Sequence, residues 1–170
     1  MVEVLSHKEE DKLIEEAWRV LAEVQDPEIP VLTVLDMGIV RDIRFSEGIL
    51  EVDITPTYSG CPAMNEIESD IAKKIETKVT ESYKVNTVLS PAWTTDWLTE
   101  EGKQKLLDFG ISPPQGKADK SSIWGSDKEV VCPHCKSSNT SMVSQFGSTA
   151  CKALYRCDEC KEPFDYFKCI

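Results

Sequence analysis

The sequence predicts an α+β protein: a small sheet with helices on one face, in the order α-β-β-α-β-α, followed by a small C-terminal ribbon. Three observations predict it. Apolar residues recur at helical spacing over residues 13–24 and again over 64–79. Between these stretches, two runs of strand-forming residues meet at Ser46-Glu47-Gly48. Near the C-terminus, two Cys-x-x-Cys pairs flank a segment of 21 residues, a spacing that can fold a short chain around one metal ion.

The elements follow in chain order. Ser6-His7-Lys8-Glu9 is a capping box, and Leu13, Ile14, Ala17, Trp18, Leu21 and Val24 form the apolar stripe of a first helix. Asp26-Pro27-Glu28-Ile29-Pro30 ends it, because both prolines lack an N–H and restrict the residue before them. Ile39 to Phe45 and Ile49 to Thr55 read as a hairpin turning at Gly48. In the second strand Leu50, Val52 and Ile54 share one face and Glu51 and Asp53 the other, so one face of the sheet is expected to be wet. Met64, Ile67, Ile71, Ile75 and Val79 mark a second helix, with Pro62 in its first turn and Cys61 at its N-cap. Val85 to Leu89 reads as a third strand. Thr99 caps a last helix that runs to Phe109 and stops at Gly110.

Composition divides the chain. Residues 1–112 carry 11 basic and 23 acidic side chains, residues 113–128 carry 3 and 2, and residues 129–170 carry 5 and 5, so the net charge of −11 belongs to the first segment. One cysteine precedes residue 113 and six follow residue 131. The expected organisation is a domain over 1–112, a Pro/Gly/Ser/Lys linker over 113–128 interrupted by Ile123 and Trp124, and a ribbon over 129–170. The acidic balance argues against a sequence-independent nucleic-acid partner, which needs a surplus of Lys and Arg. No apolar run approaches the length of a membrane span, and Met1 to Glu16 lacks the basic and apolar regions of a secretory signal. A cytoplasmic location follows as the expectation, with the seven cysteines present as thiols.

Cys132, Cys135, Cys157 and Cys160 form the four-thiolate set typical of structural zinc. A segment of about 40 residues is too small to be stable on core burial alone, whereas structural zinc supplies on the order of 10 kcal/mol. Iron in a redox-active site and an unmetallated cluster are the alternatives. His134, inside the first knuckle, reads as a loop side chain and not a ligand. Cys151 and Cys169 are left over, either as small buried hydrophobes or as auxiliary thiols near the metal. Cys61 is the remaining thiol. At a helix N-terminus a thiolate is stabilised, which makes Cys61 a candidate soft ligand or nucleophile; packing inward at a helix start is the plain alternative. Ribbon strands are expected over Thr140 to Phe146, Ala153 to Arg156 and Phe164 to Phe167. Asp26, Glu28 and Asp36 bracket a loop and could form a carboxylate cluster, though turn chemistry and helix capping explain them as well. With His7 and His134 the only histidines, no Cys-His pair is evident, and no catalytic residue is assigned.

Asp26-Pro27-Glu28-Ile29-Pro30, Asp36-Met37-Gly38-Ile39-Val40 and Thr55-Pro56-Thr57-Tyr58-Ser59-Gly60-Cys61-Pro62 together resemble the iron–sulfur assembly domain of SufT-type proteins and of eukaryotic cytosolic iron–sulfur targeting factors. Three further runs resemble the PaaD family, the D subunits of ring-1,2-phenylacetyl-CoA epoxidase systems. They are Trp93-Thr94-Thr95-Asp96-Trp97, the segment Ser144-Gln145-Phe146-Gly147 through Cys151 to Cys157, and Glu162-Pro163-Phe164 through Cys169. The resemblance implies a place in phenylacetate catabolism beside oxygenase and reductase subunits, in maturation and not in epoxidation itself. It implies Cys61 as the cluster-handling thiol, Cys132, Cys135, Cys157 and Cys160 as zinc ligands, and a transient iron–sulfur cluster as cargo. Cys151 and Cys169 match recurrent family cysteines. A non-catalytic adaptor held together by its zinc ribbon, and an electron-transfer subunit with iron in the four-cysteine site, are the competing roles; self-association is compatible with each.

Overall fold

The computed structural model describes residues 6–58, 60–115 and 129–168. Most of the expected linker, with Ile123 and Trp124, lies outside the described residues, as does Cys169. The chain forms two compact units, Met1–Trp93 and Thr94–Ile170.

In the first unit, helix α1 (His7–Leu21) is opened by the Glu9 carboxylate, which accepts from the Ser6 backbone N–H (2.9 Å) and from Ser6 Oγ (2.7 Å). Ala17, Val20 and Leu21 bury the inner face of this helix. After it, Asp26 Oδ1 accepts from the Glu28 and Ile29 amides at 2.8 and 2.7 Å, and Asp36 Oδ2 accepts from Thr33 N and Oγ1, both at 2.9 Å. Both carboxylates therefore organise turns, as expected of Asp in this setting.

Strands β1 (Val40–Ser46) and β2 (Ile49–Ile54) pair antiparallel with Ser46 opposite Ile49. That register leaves Glu47-Gly48 as a two-residue turn, and both have positive φ, 52° and 78°, the combination a tight hairpin with native strand twist requires. Helix α2 (Ala63–Lys78) then crosses over to β3 (Tyr83–Thr87), which pairs parallel with β2. Ile67, Ile71 and Ile75 are fully buried on one side of α2. α1 packs on β1 and on α2, and α2 packs on β3, so this face of the sheet is covered. On the opposite face Arg44 forks onto Glu51 and Asp53, with Asp42 at 3.2 Å and Asn86 donating to Asp53 at 3.0 Å. The Arg44 guanidinium holds the Asp53 carboxyl below its usual range. The expected wet face is thus a charge network rather than scattered solvated groups. Trp93 closes the unit, buried, with Nε1 donating to Met37 O at 2.8 Å.

The second unit begins with a 3-10 turn (Thr95–Trp97) and helix α3 (Glu100–Asp108), capped by Thr99 Oγ1 accepting from Gly102 N at 2.9 Å. Gly110, at φ 91°, turns the chain out of α3 into a two-residue strand, β4 (Ile111–Ser112). β4 pairs parallel with β7 (Pro163–Phe167), which pairs antiparallel with β6 (Lys152–Cys157), itself antiparallel to β5 (Thr140–Ser144). The sheet order is β4-β7-β6-β5.

The division between units therefore falls at Trp93/Thr94, where the sequence placed a first domain over 1–112. The reason lies in β4. Ile111 and Ser112 are buried and bond through their backbone to β7, which carries residues 94–112 into the ribbon's sheet. Helix α2 also begins one residue later than expected: Pro62 is the N-cap, and Cys61 precedes it. Cys61 N donates to Tyr58 O and Cys61 O accepts from Met64 N, each at 3.2 Å, so its backbone completes a turn before the helix. Among the described residues, no helix is long and apolar enough to cross a membrane.

Candidate metal centre

The second unit is built around Val130, Cys132, Ala153, Cys157, Phe164 and Tyr166, with Tyr155 and Cys160 packed against them. Two of these core residues are cysteines, so the small apolar core and the sulfur cluster are one feature. Tyr155 stacks on Phe164 (centroids 6.0 Å apart) and meets Tyr166 edge-on (5.5 Å) beside it.

Each Cys-x-x-Cys pair sits on a closed loop of the same design. Lys136 N donates to Cys132 O (3.0 Å) and Cys132 N to Ser137 O (2.9 Å); Lys161 N donates to Cys157 O (3.1 Å) and Cys157 N to Glu162 O (3.0 Å). These bonds curl the two cysteines of each pair toward one point. The four sulfurs lie within 4.8 Å of one another, with Cys132 to Cys160 at 3.7 Å and Cys135 to Cys157 at 3.5 Å. A tetrahedron of thiolates around one ion at the zinc–sulfur bond length of about 2.3 Å has edges of about 3.8 Å. The site fits a single tetrahedral ion. A cubane iron–sulfur cluster would need wider spacing, because each of its thiolates binds a different iron.

The electrostatics of the thiols point the same way. Burial opposes ionisation of Cys157, but the Cys160 and Glu159 amides and the neighbouring thiols outweigh it and lower this group to about 7. At Cys160 the Glu162 amide favours the thiolate, yet burial and the surrounding sulfurs prevail and raise it to about 12. Cys157 readily becomes a thiolate, and Cys160 resists following. A bound cation removes that conflict, since it is what allows four adjacent thiolates to coexist.

All four cysteines that the spacing singled out are thus brought together. His134 is exposed and is not among the converging ligand atoms. Cys151 belongs to the same unit but not to this group. It is buried, its sulfur is 3.0 Å from Thr149 Oγ1, and its carbonyl accepts from Lys168 N at 3.0 Å. Cys61 lies in the other unit and is partly exposed, between Gly60 at φ 87° and the start of α2. No disulfide involves any of the six described cysteines. Sequence reasoning passed over the residue after each knuckle, Lys136 and Lys161, both at positive φ (65° and 68°). A repeated Cys-x-x-Cys-Lys was the available signal.

Comparison with known proteins agrees with this two-part construction. Residues 14–89 match the family described as iron-sulfur cluster assembly protein, and residues 116–168 match the PaaD zinc beta ribbon domain. A protein of Escherichia coli (strain K12), named as the D subunit of 1,2-phenylacetyl-CoA epoxidase, is 48% identical over 158 residues, covering 92% of this chain and 93% of its own. An Fe-S protein maturation auxiliary factor of Porphyromonas gingivalis (strain ATCC BAA-308 / W83) is 34% identical over 99 residues, 57% of this chain and 90% of its own. Among solved structures, a domain of unknown function (DUF59) from Bacillus anthracis has a TM-score of 0.55 at 26% identity, covering 59% of this chain and 97% of that one. An assembly-type first unit joined to this particular ribbon, together with near-complete coverage of the Escherichia coli relative, means that the chain belongs to the PaaD family of phenylacetyl-CoA epoxidase D subunits.

Proposed function

We infer that this chain is an accessory maturation factor of the phenylacetyl-CoA epoxidase system. It passes iron or an iron–sulfur cluster, as cargo, to oxygenase or reductase subunits in the cytoplasm. One observation carries the reading: a chain similar almost end to end to an epoxidase D subunit has a first unit similar to proteins named as Fe-S maturation auxiliary factors. Cys61 is the cluster-handling thiol in this reading. Its position supports the role, because it is partly exposed at a turn before α2, where incoming metal can reach a sulfur. Cys151 and Cys169 are auxiliary thiols. The ion of the four-cysteine site is structural zinc, in keeping with the sulfur spacing and with a knuckle closed by backbone bonds on both sides.

The test co-expresses the chain with the epoxidase subunits. Replacing Cys61 with Ala is expected to lower the iron and cluster content of the partner subunits, and their activity with it, while the chain itself keeps one zinc. Normal cluster loading in the Cys61→Ala background would sink the delivery role and leave the chain as a structural adaptor. Elemental analysis of the purified chain checks the metal: zinc without visible absorption is expected, and iron with charge-transfer colour would instead favour electron transfer.

A further inference from the structure

The two knuckles share a feature that the cysteines do not explain. Each is followed by a lysine in the left-handed region, Lys136 at φ 65° and Lys161 at φ 68°. Glycine takes that conformation freely, whereas a side chain with a Cβ is strained there. In both loops the lysine also turns its ammonium back over the knuckle. Lys136 Nζ donates to Pro133 O at 2.9 Å, and Lys161 Nζ donates to Asp158 O. Pro133 and Asp158 are equivalent positions, the first residue after the first cysteine of each pair. The same strained backbone and the same folded-back cation thus occur twice, once per half of the metal site.

Four thiolates around a divalent ion leave two negative charges, and the second knuckle adds Asp158 and Glu159. Two ammonium groups held on the loops that carry the sulfurs supply two positive charges. We propose that Lys136 and Lys161 are positioning residues of the metal centre, kept in an unfavourable backbone conformation because their ammonium groups offset the negative charge of the loaded four-thiolate site. This rests on that site holding a divalent metal. Metal uptake at neutral pH exchanges thiol protons for the ion and makes the site more negative, so a nearby cation favours the loaded form. Both lysines are exposed, which makes the effect modest and salt-dependent.

The test compares full-length chains carrying Lys136→Gly with Lys161→Gly, Lys136→Gln with Lys161→Gln, or Lys136→Arg with Lys161→Arg. Glycine relieves the backbone and removes the charge, glutamine keeps the strain and removes the charge, and arginine keeps both. Apparent Zn²⁺ affinity is read at pH 7 by competition with a chromophoric chelator. At about 0.1 M salt the Gly and Gln pairs are expected to bind Zn²⁺ about tenfold more weakly than the unsubstituted chain, and the Arg pair to match it. At about 1 M salt the gap should narrow. Zinc held by the Gly pair as tightly as by the unsubstituted chain, or an Arg pair as weak as the Gln pair, would overturn the proposal. If the unsubstituted chain takes up no Zn²⁺ at all, the metal-site reading itself fails, an outcome distinct from either.

Discussion

Gly147 shows what a single hydrogen-sized gap is worth in this ribbon. A Cβ built there would stand 2.6 Å from Asp165 Oδ1 and 3.3 Å from both the backbone carbon and the Cβ of Lys152. Asp165 has little room to yield, since it accepts from Ser148 Oγ at 3.0 Å and faces buried Lys152 at 3.8 Å. Gly147→Ala is therefore expected to lower stability by about 1–3 kcal/mol, the usual cost of overpacking. Thermal denaturation of the metal-loaded chain measures it. An unchanged midpoint would mean that the loop relaxes freely and that the approach is not a constraint. At this scale the sequence was legible where chemistry depends on local spacing: Cys132, Cys135, Cys157 and Cys160 needed only their own intervals to be identified. It was less legible where backbone conformation decides. Nothing about Lys136 or Lys161 as residue types announces positive φ, and Cys61 was set on the helix cap that Pro62 occupies.

Between elements, the contact of α1 with α2 depends partly on charge. Glu23, just beyond α1, accepts from Lys78 Nζ at 2.7 Å and from Lys74 Nζ at 2.9 Å, both on α2. These hydrogen bonds, Lys78 first, lower the Glu23 carboxyl from its ordinary 4.5 to about 2. A carboxyl depressed in the folded state contributes stability that is fully present above its unfolded value near 4.5 and is lost as pH falls toward 2. All three side chains are substantially exposed, so solvent screening keeps the contribution small. Compared with Glu23→Gln, the unsubstituted chain should have a higher thermal midpoint at pH 6, an advantage that shrinks steadily below about pH 4.5. A gap independent of pH would show that packing, not the ion pairs, separates the two proteins. The helices and the hairpin were readable because each repeats a period over several turns or pairs, as Ile67, Ile71 and Ile75 do on α2. β4 was not, because two residues carry no period. Ile111 and Ser112 become a strand only through the partner that β7 offers them.

For the whole molecule, this missed strand decides which parts of the chain should fall together when the metal is withdrawn. The core around Cys132 and Cys157 is the same cluster that supplies the metal ligands, so a chelator strikes the centre of the second unit and not an appendage. A structural metal ion such as zinc, when bound, contributes on the order of 10 kcal/mol to a domain this small, far more than its few buried side chains can replace. The first unit has its own core, with Leu50, Val52 and Ile54 of β2 and Ile67, Ile71 and Ile75 of α2 fully buried or nearly so, and no cluster of three or more converging metal-ligating side chains among its described residues. Chelation is therefore expected to abolish amide hydrogen-exchange protection across β5, β6 and β7 while β1, β2 and β3 keep theirs. Residues 94–112 separate the two ways of dividing the chain. If they belonged with the first domain, as composition suggested, α3 would stay protected with the β1-β2-β3 sheet. Because β4 bonds to β7, protection at the start of the ribbon sheet, including Ile111 and Ser112, should be lost together with that of Phe164 and Tyr166. Retained protection at β4 after complete metal removal would return these residues to the first domain. Loss of protection over residues 14–89 as well would mean that the assembly unit needs the loaded ribbon to stay folded.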